Sequence, residues 1–281
     1  MKVSIITINF NNVEGLKRTL NSVAAQTYRD IEHIIIDGCS TDGSVDAIKE
    51  YVSSNPDKDP FFKHTINWVS EKDNGIYNAM NKGIKKATGA YIQILNSGDI
   101  LAASDVVARM VAEIENAEYP ELLYGNMIKK DYATGKIVGK SREVEYSLRQ
   151  YFVSTMNHDC CYIRRDLFEK YGLYDENLII VSDWKWFLLA IGLGNVMPVY
   201  VDIDVTIFDA SGISETNLEL RNKERRQVLE EVLPPAILAD YDKYAFPMEQ
   251  YNRLKKYHLW PIVYFMERVL FKVEKWHILK R

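Results

Sequence analysis

Three carboxylates stand where short apolar runs stop or helical ones begin. Residues 91–100 read YIQILNSGDI, an apolar run that breaks at Asn96-Ser97-Gly98-Asp99 and closes on an acid. Ile34-Ile35-Ile36 runs likewise into Asp37, and Asp183 in SDWKWF precedes a helical apolar pattern. A carboxylate so placed can ligate a hard cation, take a proton in catalysis, or cap the next helix.

The turn after the first apolar run reads NFNNVEG, neither GxGxxG nor GxxxxGK[ST], so the glycine-rich phosphate cradles are absent. A nucleotide bound here would need its diphosphate neutralised otherwise, most simply by a divalent cation held on a carboxylate. Asp99 suits that role, with Gly98 before it admitting close backbone approach, and Mg²⁺ or Mn²⁺ suits a site where phosphates supply further ligands. The alternative, a cap for the helix near Ser104, is better filled by Ser104-Asp105.

The elements that must position these groups alternate. Val3–Ile8, Ile34–Ile36, Ile66–Val69 and Tyr91–Leu95 are predicted strands. The helical spacings of Leu16–Val23, Ser44–Tyr51 and Ile76–Ala87 lie between them. Uninterrupted apolar strands alternating with helices predict an α/β fold, a Rossmann-like, mostly parallel central sheet flanked by helices. Ligands of such sheets bind beyond the carboxyl ends of the strands, where Asn9, Asp37, Ser70-Glu71 and Asn96–Asp99 gather. Turns favour these residue types anyway, but four such turns on one rim exceed that preference. Beyond residue 120 the pattern loosens: a strand at Leu122–Gly125, a polar hairpin or mobile loop over 129–142, a strand at 160–164, a helix at 182–190 and a strand region at 196–208.

Composition bounds the rest. The 281 residues carry a formal net charge of −4, which gives no reason to expect nucleic acid as a partner. No apolar stretch reaches the roughly 18–20 residues of a membrane span. Three cysteines, two of them adjacent, with no metal-like spacing, fit a reducing, cytoplasmic compartment.

SIITINFNN, IIIDGCSTDGS, SEKDNGIYNAMNKGIKKATGAYI and LNSGD resemble, in order and spacing, the family 2 glycosyltransferases of GT-A fold. The resemblance is close over the first hundred residues. It continues more loosely through YGLYDENL and SDWKWF to about residue 210, of a type that builds bacterial surface polysaccharides. It implies an inverting enzyme that moves a sugar from a nucleotide-sugar, foremost a UDP-sugar, to a saccharide or lipid-linked saccharide acceptor, with Mg²⁺ or Mn²⁺. By position it gives Thr7, Asn9, Asp37, Asp73, Asn81 and Ser97 to the donor, Asp99 to the metal and Asp183 to the catalytic base. NSGD departs from the family's DADD or DSDD by lacking two of three acids, so Asp99 alone must serve the metal. Should it fail, the reading becomes a non-catalytic nucleotide- or sugar-binding assembly subunit. A nucleotidyltransferase would need a basic, glycine-rich loop that NFNNVEG lacks.

His158 stands before a strand as a contact for donor phosphates or acceptor, although a histidine can serve structure alone. Of the tryptophans flanking Asp183, Trp184 suits stacking on a sugar ring, while Trp186 suits the core equally. The expected organisation is a catalytic domain over 1–213 and a helical extension over 214–281. From Met248 onward eight Lys and Arg face three Glu, and apolar residues from Leu259 recur at three and four. Such a basic amphipathic helix lies on a membrane surface at its inner face, packs on the catalytic domain, or pairs two copies as a homodimer.

Overall fold

The computed structural model describes residues 1–54, 64–144, 147–210 and 217–240, together with 242–243, 261–262, 264–266, 268 and 270. The chain divides into two compact units, Met1–Arg225 and Arg226–Arg281. In the first, β1 (Val3–Asn9), β2 (Ile31–Asp37), β3 (Thr65–Ser70) and β4 (Tyr91–Ile94) alternate with α1 (Val13–Ala24), α2 (Ser44–Ser54) and α3 (Ile76–Lys86). All pairings among these four strands are parallel, in the order β3-β2-β1-β4. β1 and β2 are buried along their whole length, which is why their sequences show no in–out alternation.

Side chains alternate across the sheet, and the helices sort accordingly. Ile5 joins a cluster with Val106, Val107 and Met110 of α4 (Val106–Asn116), while its neighbour Ile6 faces α3. There Gly83 lets the helix descend onto the sheet, since a Cβ would stand 2.3 Å from Ile6 Cγ2. On the Ile5 face, Leu16 and Leu20 of α1 meet Ile48 and Tyr51 of α2.

After β4 the sheet turns mixed. β5 (Ile100–Leu101) is a two-residue stub, and β6 (Leu122–Lys130) forms a hairpin with β7 (Ile137–Lys140). β8 (Cys161–Arg164) runs antiparallel between β4 and β6, and β9 (Val199–Asp209) runs parallel to β6. Two short helices, α5 (Leu148–Val153) and α6 (Asp166–Tyr171), precede α7 (Ser182–Phe187), which widens into a π-helical turn over Leu188–Leu193. The expected single helix over 182–190 is thus an α-turn continued by a π-turn. α8 (Leu218–Val232) follows. Among the described residues no helix is long and apolar enough to cross a membrane. The amphipathic tail expected beyond Met248 lies mostly outside the described residues.

Candidate active site

β1, β2 and β3 end flush, so Asn9, Asp37 and Ser70 stand abreast at the carboxyl edge. Asp37 Oδ1 accepts from Asn9 Nδ2 (2.8 Å) and Ser40 Oγ (2.6 Å). Its Oδ2 accepts from Ser70 Oγ (2.6 Å) and the Ser40 N–H (3.0 Å). Burial pushes the carboxyl up, yet these donors outweigh it and hold Asp37 below the usual carboxylate range. The result is a fixed, ionised acceptor. Beside it Asn9 Oδ1 is buried without a partner, so this corner has an acceptor that a ligand N–H or O–H would complete. Asp73 lies against Gly38, its Oδ2 3.2 Å from where a Cβ would be, and pairs with Lys82 at 2.5 Å.

The Asn96–Asp99 turn is bonded to the β1 edge. The Ser97 N–H reaches Ile8 O (3.0 Å), and Asn12 Nδ2 donates to Ser97 O (3.0 Å) while Asn12 Oδ1 caps α1 at the Gly15 N–H (3.2 Å). Gly98 turns the chain at φ +110°, a conformation open to glycine alone at little cost. Asp99 Oδ1 accepts the Asp209 N–H at 2.9 Å. Asp99 is no helix cap, because Asp105 occupies that position of α4. Burial first, and the like charge of Asp159 second, push the Asp99 carboxyl well above its ordinary range. A buried acid in acidic company ionises most readily when a cation shares the site, so its donor type fits Mg²⁺ or Mn²⁺. Among the described residues no three His, Cys, Asp or Glu side chains converge as a cage. Phosphate and water oxygens would therefore fill most of the coordination sphere.

The third group lies next to this turn. Asp183 is the second residue of α7, whose cap position is Val181, and it makes side-chain bonds across the fold instead of a cap. Its Oδ2 meets His158 Nδ1 at 2.9 Å and its Oδ1 accepts the Tyr77 hydroxyl at 3.0 Å. Burial would lower the His158 pKa, but the hydrogen bond and charge of Asp183, then Asp159 and Asp99, raise it to about 9. Burial would raise Asp183, but the His158 bond and charge and the Tyr77 hydroxyl hold it below its ordinary value. The pair is therefore imidazolium and carboxylate at neutral pH. The Asn96 amide stands 3.1 Å from His158 Nε2. With both ring nitrogens protonated, the amide oxygen must turn to Nε2, which also gives that buried oxygen its partner.

Below Asp183 opens a recess of about 110 Å³, lined among others by Met127, His158, Asp183, Phe208, Arg221 and Arg225. A larger hollow of about 460 Å³, lined by Arg109, Glu113 and Asp202, holds none of the rim residues.

Several expected site residues have other partners. The Thr7 hydroxyl is buried against His33 Nε2 (3.0 Å), whose other nitrogen meets Tyr51 Oη (2.9 Å). Asn81 spends its amide on the 172–177 loop, donating to Tyr174 O and Glu176 Oε1 and accepting the Tyr174 N–H. Trp184 is 1% exposed, gives its indole N–H to Tyr151 O (2.6 Å) and carries Arg225 over its ring at 5.3 Å. A sugar therefore finds no open indole face there, and the stacking expected of Trp184 is corrected to packing at the recess wall. Tyr77, Asn12 and the two arginines escaped sequence reasoning, and Asn96 was read only as part of the Asn96–Asp99 turn. Tyr77 was legible only as a tyrosine in the DNGIYNAM turn, with nothing to connect it to Asp183.

The glycosyl transferase family 2 model matches residues 4–172. An uncharacterised glycosyltransferase of Mycobacterium tuberculosis is 35% identical over 217 residues, 75% of this chain and 76% of that protein. A PGL/p-HBAD biosynthesis glycosyltransferase of Mycobacterium bovis is 28% identical over 214 residues, 76% of this chain and 79% of its own. Among solved structures, S. aureus TarS 1–349 in complex with UDP-GlcNAc superposes with a TM-score of 0.63 at 18% identity, covering 84% of this chain and 69% of that one. A Pyrobaculum calidifontis mannosyltransferase in complex with GDP-Man and Mn²⁺ reaches 0.63 at 15% identity, covering 87% and 69%.

Proposed function

The chain belongs to glycosyltransferase family 2 and has the GT-A fold, and from that premise we propose that it is an inverting, metal-dependent enzyme using a UDP-sugar. The observation that carries the reading is the bonded continuity of the rim. Asp37 joins Asn9, Asn12 joins Ser97, and Asn96 joins His158, which in turn joins Asp183, the acceptor of the Tyr77 hydroxyl. A nucleoside corner, a diphosphate turn and a proton acceptor thus follow one another along one edge.

In this reading Asp37 and Asn9 receive the nucleobase, with Asp73 beside them, while Thr7, two residues before Asn9 on β1, is bonded to His33 beneath. Asp99 holds Mg²⁺ or Mn²⁺, with Ser97 in the same turn facing the donor. The metal, when bound, neutralises the charge that develops on the departing diphosphate. The acceptor hydroxyl replaces Tyr77 at Asp183 Oδ1 and passes its proton to that oxygen as its own oxygen attacks the anomeric carbon. The bond from that carbon to the phosphate oxygen breaks, and its electron pair leaves with the nucleoside diphosphate. His158 holds the other carboxylate oxygen, so Asp183 stays ionised and oriented. A single displacement of this kind inverts the anomeric centre.

The acceptor in this proposal is a saccharide on a lipid carrier, in surface polysaccharide synthesis at the cytoplasmic face of a membrane. Its support is the tail, where Ile262, Phe265, Met266 and Leu270 are exposed among the described helical residues and the sequence is basic.

Titration of UDP, then GDP, into the protein with and without Mn²⁺ tests the donor half. UDP binding that requires the metal and is lost in Asp99→Ala is the expected result. Equal binding without metal sinks the metal reading, and no binding of either nucleotide favours a non-catalytic role.

A further inference from the structure

The β6–β7 hairpin departs in charge from the rest of the chain. Residues 129–142 read KKDYATGKIVGKSR, five Lys and Arg against Asp131, in a chain whose formal net charge is −4. Asp131 is engaged inside the turn, where its carboxylate accepts the Ala133 N–H (2.9 Å), the Thr134 N–H (3.2 Å) and the Thr134 hydroxyl (2.8 Å). Other acids answer part of the charge. Asp204 of β9 pairs with Lys140 at 2.5 Å, Asp202 lies in the field of Lys140 and Arg142, and Glu143 follows in the chain. Among these cations Ile137 and Val138 are 68% and 55% exposed, two adjacent branched apolar side chains on a strand of four residues. A basic stretch that also turns apolar side chains to solvent is suited to a surface that is anionic and partly apolar.

The topology sets this hairpin on the rim side of the sheet. β8 runs antiparallel to both β4 and β6, so β6 points the same way as β1 to β4, and its turn over 131–136 lies toward their carboxyl ends. Tyr132 of the turn lies under the Arg18 guanidinium at 4.3 Å. Arg18 Nη2 donates to Asp209 Oδ2 at 3.2 Å, and the Asp209 N–H reaches Asp99. The turn is thereby tied to the candidate active site. Among the described strands β7 pairs with β6 alone. A second copy adding its own β7 antiparallel about Val138 would set Lys136 of each copy against Lys140 of the other. Like charges so opposed are a common guard of edge strands, and they disfavour a second copy as the occupant.

We propose that the β6–β7 hairpin docks the rim on a bilayer surface bearing anionic lipids, with Ile137 and Val138 entering the headgroup layer and the cations meeting lipid phosphates. Its use rests on the lipid-linked acceptor proposed above, since a rim held at the surface meets the saccharide where it joins its lipid. The hairpin belongs to the unit Met1–Arg225, so this contact uses none of the residues of the basic tail.

A dye placed on the hairpin of the full chain tests the contact. Ile137→Cys in a Cys39→Ser background takes an environment-sensitive nitrobenzoxadiazole label, the other two cysteines being buried. Vesicles containing phosphatidylserine should brighten the label and shift it to the blue, while phosphatidylcholine alone leaves it as in buffer. The same label on Tyr119→Cys should stay silent, because Tyr119 precedes Pro120, whose carbonyl accepts the Tyr91 hydroxyl at the start of β4, on the opposite edge of the sheet. In the hairpin-labelled chain Lys136→Gln should weaken vesicle affinity about fivefold and Lys136→Gln/Arg142→Gln about twentyfold, and added salt should weaken the parent chain. A hairpin label that stays silent on vesicles the chain binds overturns the docking, as does an affinity within twofold of the parent in a folded Lys136→Gln/Arg142→Gln. A label that responds to protein concentration without vesicles overturns it in favour of a second copy. Sugar transfer to a soluble acceptor with a silent label keeps the enzyme and loses the docking. A responding label on a chain that transfers no sugar from any nucleotide donor keeps the docking and loses the enzymatic reading.

Discussion

At the scale of the residue, the proposed proton acceptor and the proposed nucleoside corner are set by different physics. Asp183 is kept ionised by a neighbouring cation, Asp37 by neutral donors. Asp183→Asn should lower kcat by at least a thousandfold while the affinity for UDP stays within a few-fold, measured by transfer assay and calorimetry. Transfer within a few-fold of wild type would remove Asp183 from the role. Tyr77→Phe removes the hydroxyl that the acceptor must displace from Asp183 Oδ1, so kcat should stay within a few-fold, with KM for the donor unchanged and KM for the acceptor no higher. His33 makes a separate prediction. Burial, and then the nearby His64, depress its pKa from 6.5 to about 3. The unfolded chain therefore binds the extra proton between those values, and folding stability falls as pH drops below 6.5, by up to about 1.4 kcal/mol per pH unit. Thermal melts from pH 7 to 4 should show that slope, and His33→Gln, which takes no proton, should flatten it.

At the scale of the element, legibility followed how local each signal was. β1, β2 and β4 were readable because strands buried on both faces are continuous apolar runs. β3 is largely exposed and was readable only from the short Ile66–Val69 run between two helical patterns, and the polar residues at the four ends mark the rim. The polar stretch over 129–142 left hairpin and mobile loop both open, and the pairing of β6 with β7 decides for the hairpin. The Asp183–Tyr77 bond was not, since 106 residues separate the partners and nothing in SDWKWF or DNGIYNAM names the other. Asn81 and Trp184 misled for a related reason. A motif fixes the place of a residue in the chain, while its partners, here the 172–177 loop and the Tyr151 carbonyl, come from distant segments. Arg221 and Arg225 were hidden in RNKERR, a stretch that matches none of the motifs. Packing makes its own prediction: Gly83→Ala drives a methyl into Ile6 where α3 meets β1, and should cost about 1–3 kcal/mol in urea unfolding. A smaller loss would mean that α3 can lift from the sheet.

At the scale of the whole molecule, the compact units Met1–Arg225 and Arg226–Arg281 carry different chemistry. The rim residues all belong to the first, while the basic, apolar-exposing tail belongs to the second. If that tail seeks an anionic surface, the full chain should float with vesicles containing phosphatidylserine and sink with phosphatidylcholine alone. Changing Lys272, Lys275, Lys280 and Arg281 to Gln should weaken flotation by about 1 kcal/mol per charge removed. Vesicle binding indifferent to these changes, with a dimer seen in sedimentation, would assign the tail to self-association.

The ring of donors around Asp37 also bears on which genetic letter the enzyme accepts. A carboxylate pinned by Asn9, Ser40 and Ser70 cannot turn into a donor, so it meets a heterocycle only through an N–H. Uracil and guanine present one on their pairing edge, whereas cytosine and adenine present a lone pair at the matching ring nitrogen. An acceptor facing a lone pair rejects it far more strongly than a merely poor fit would. The selectivity proposed for this corner thus lies in the rigidity of the Asp37 carboxylate, an acid given no part in the proposed transfer.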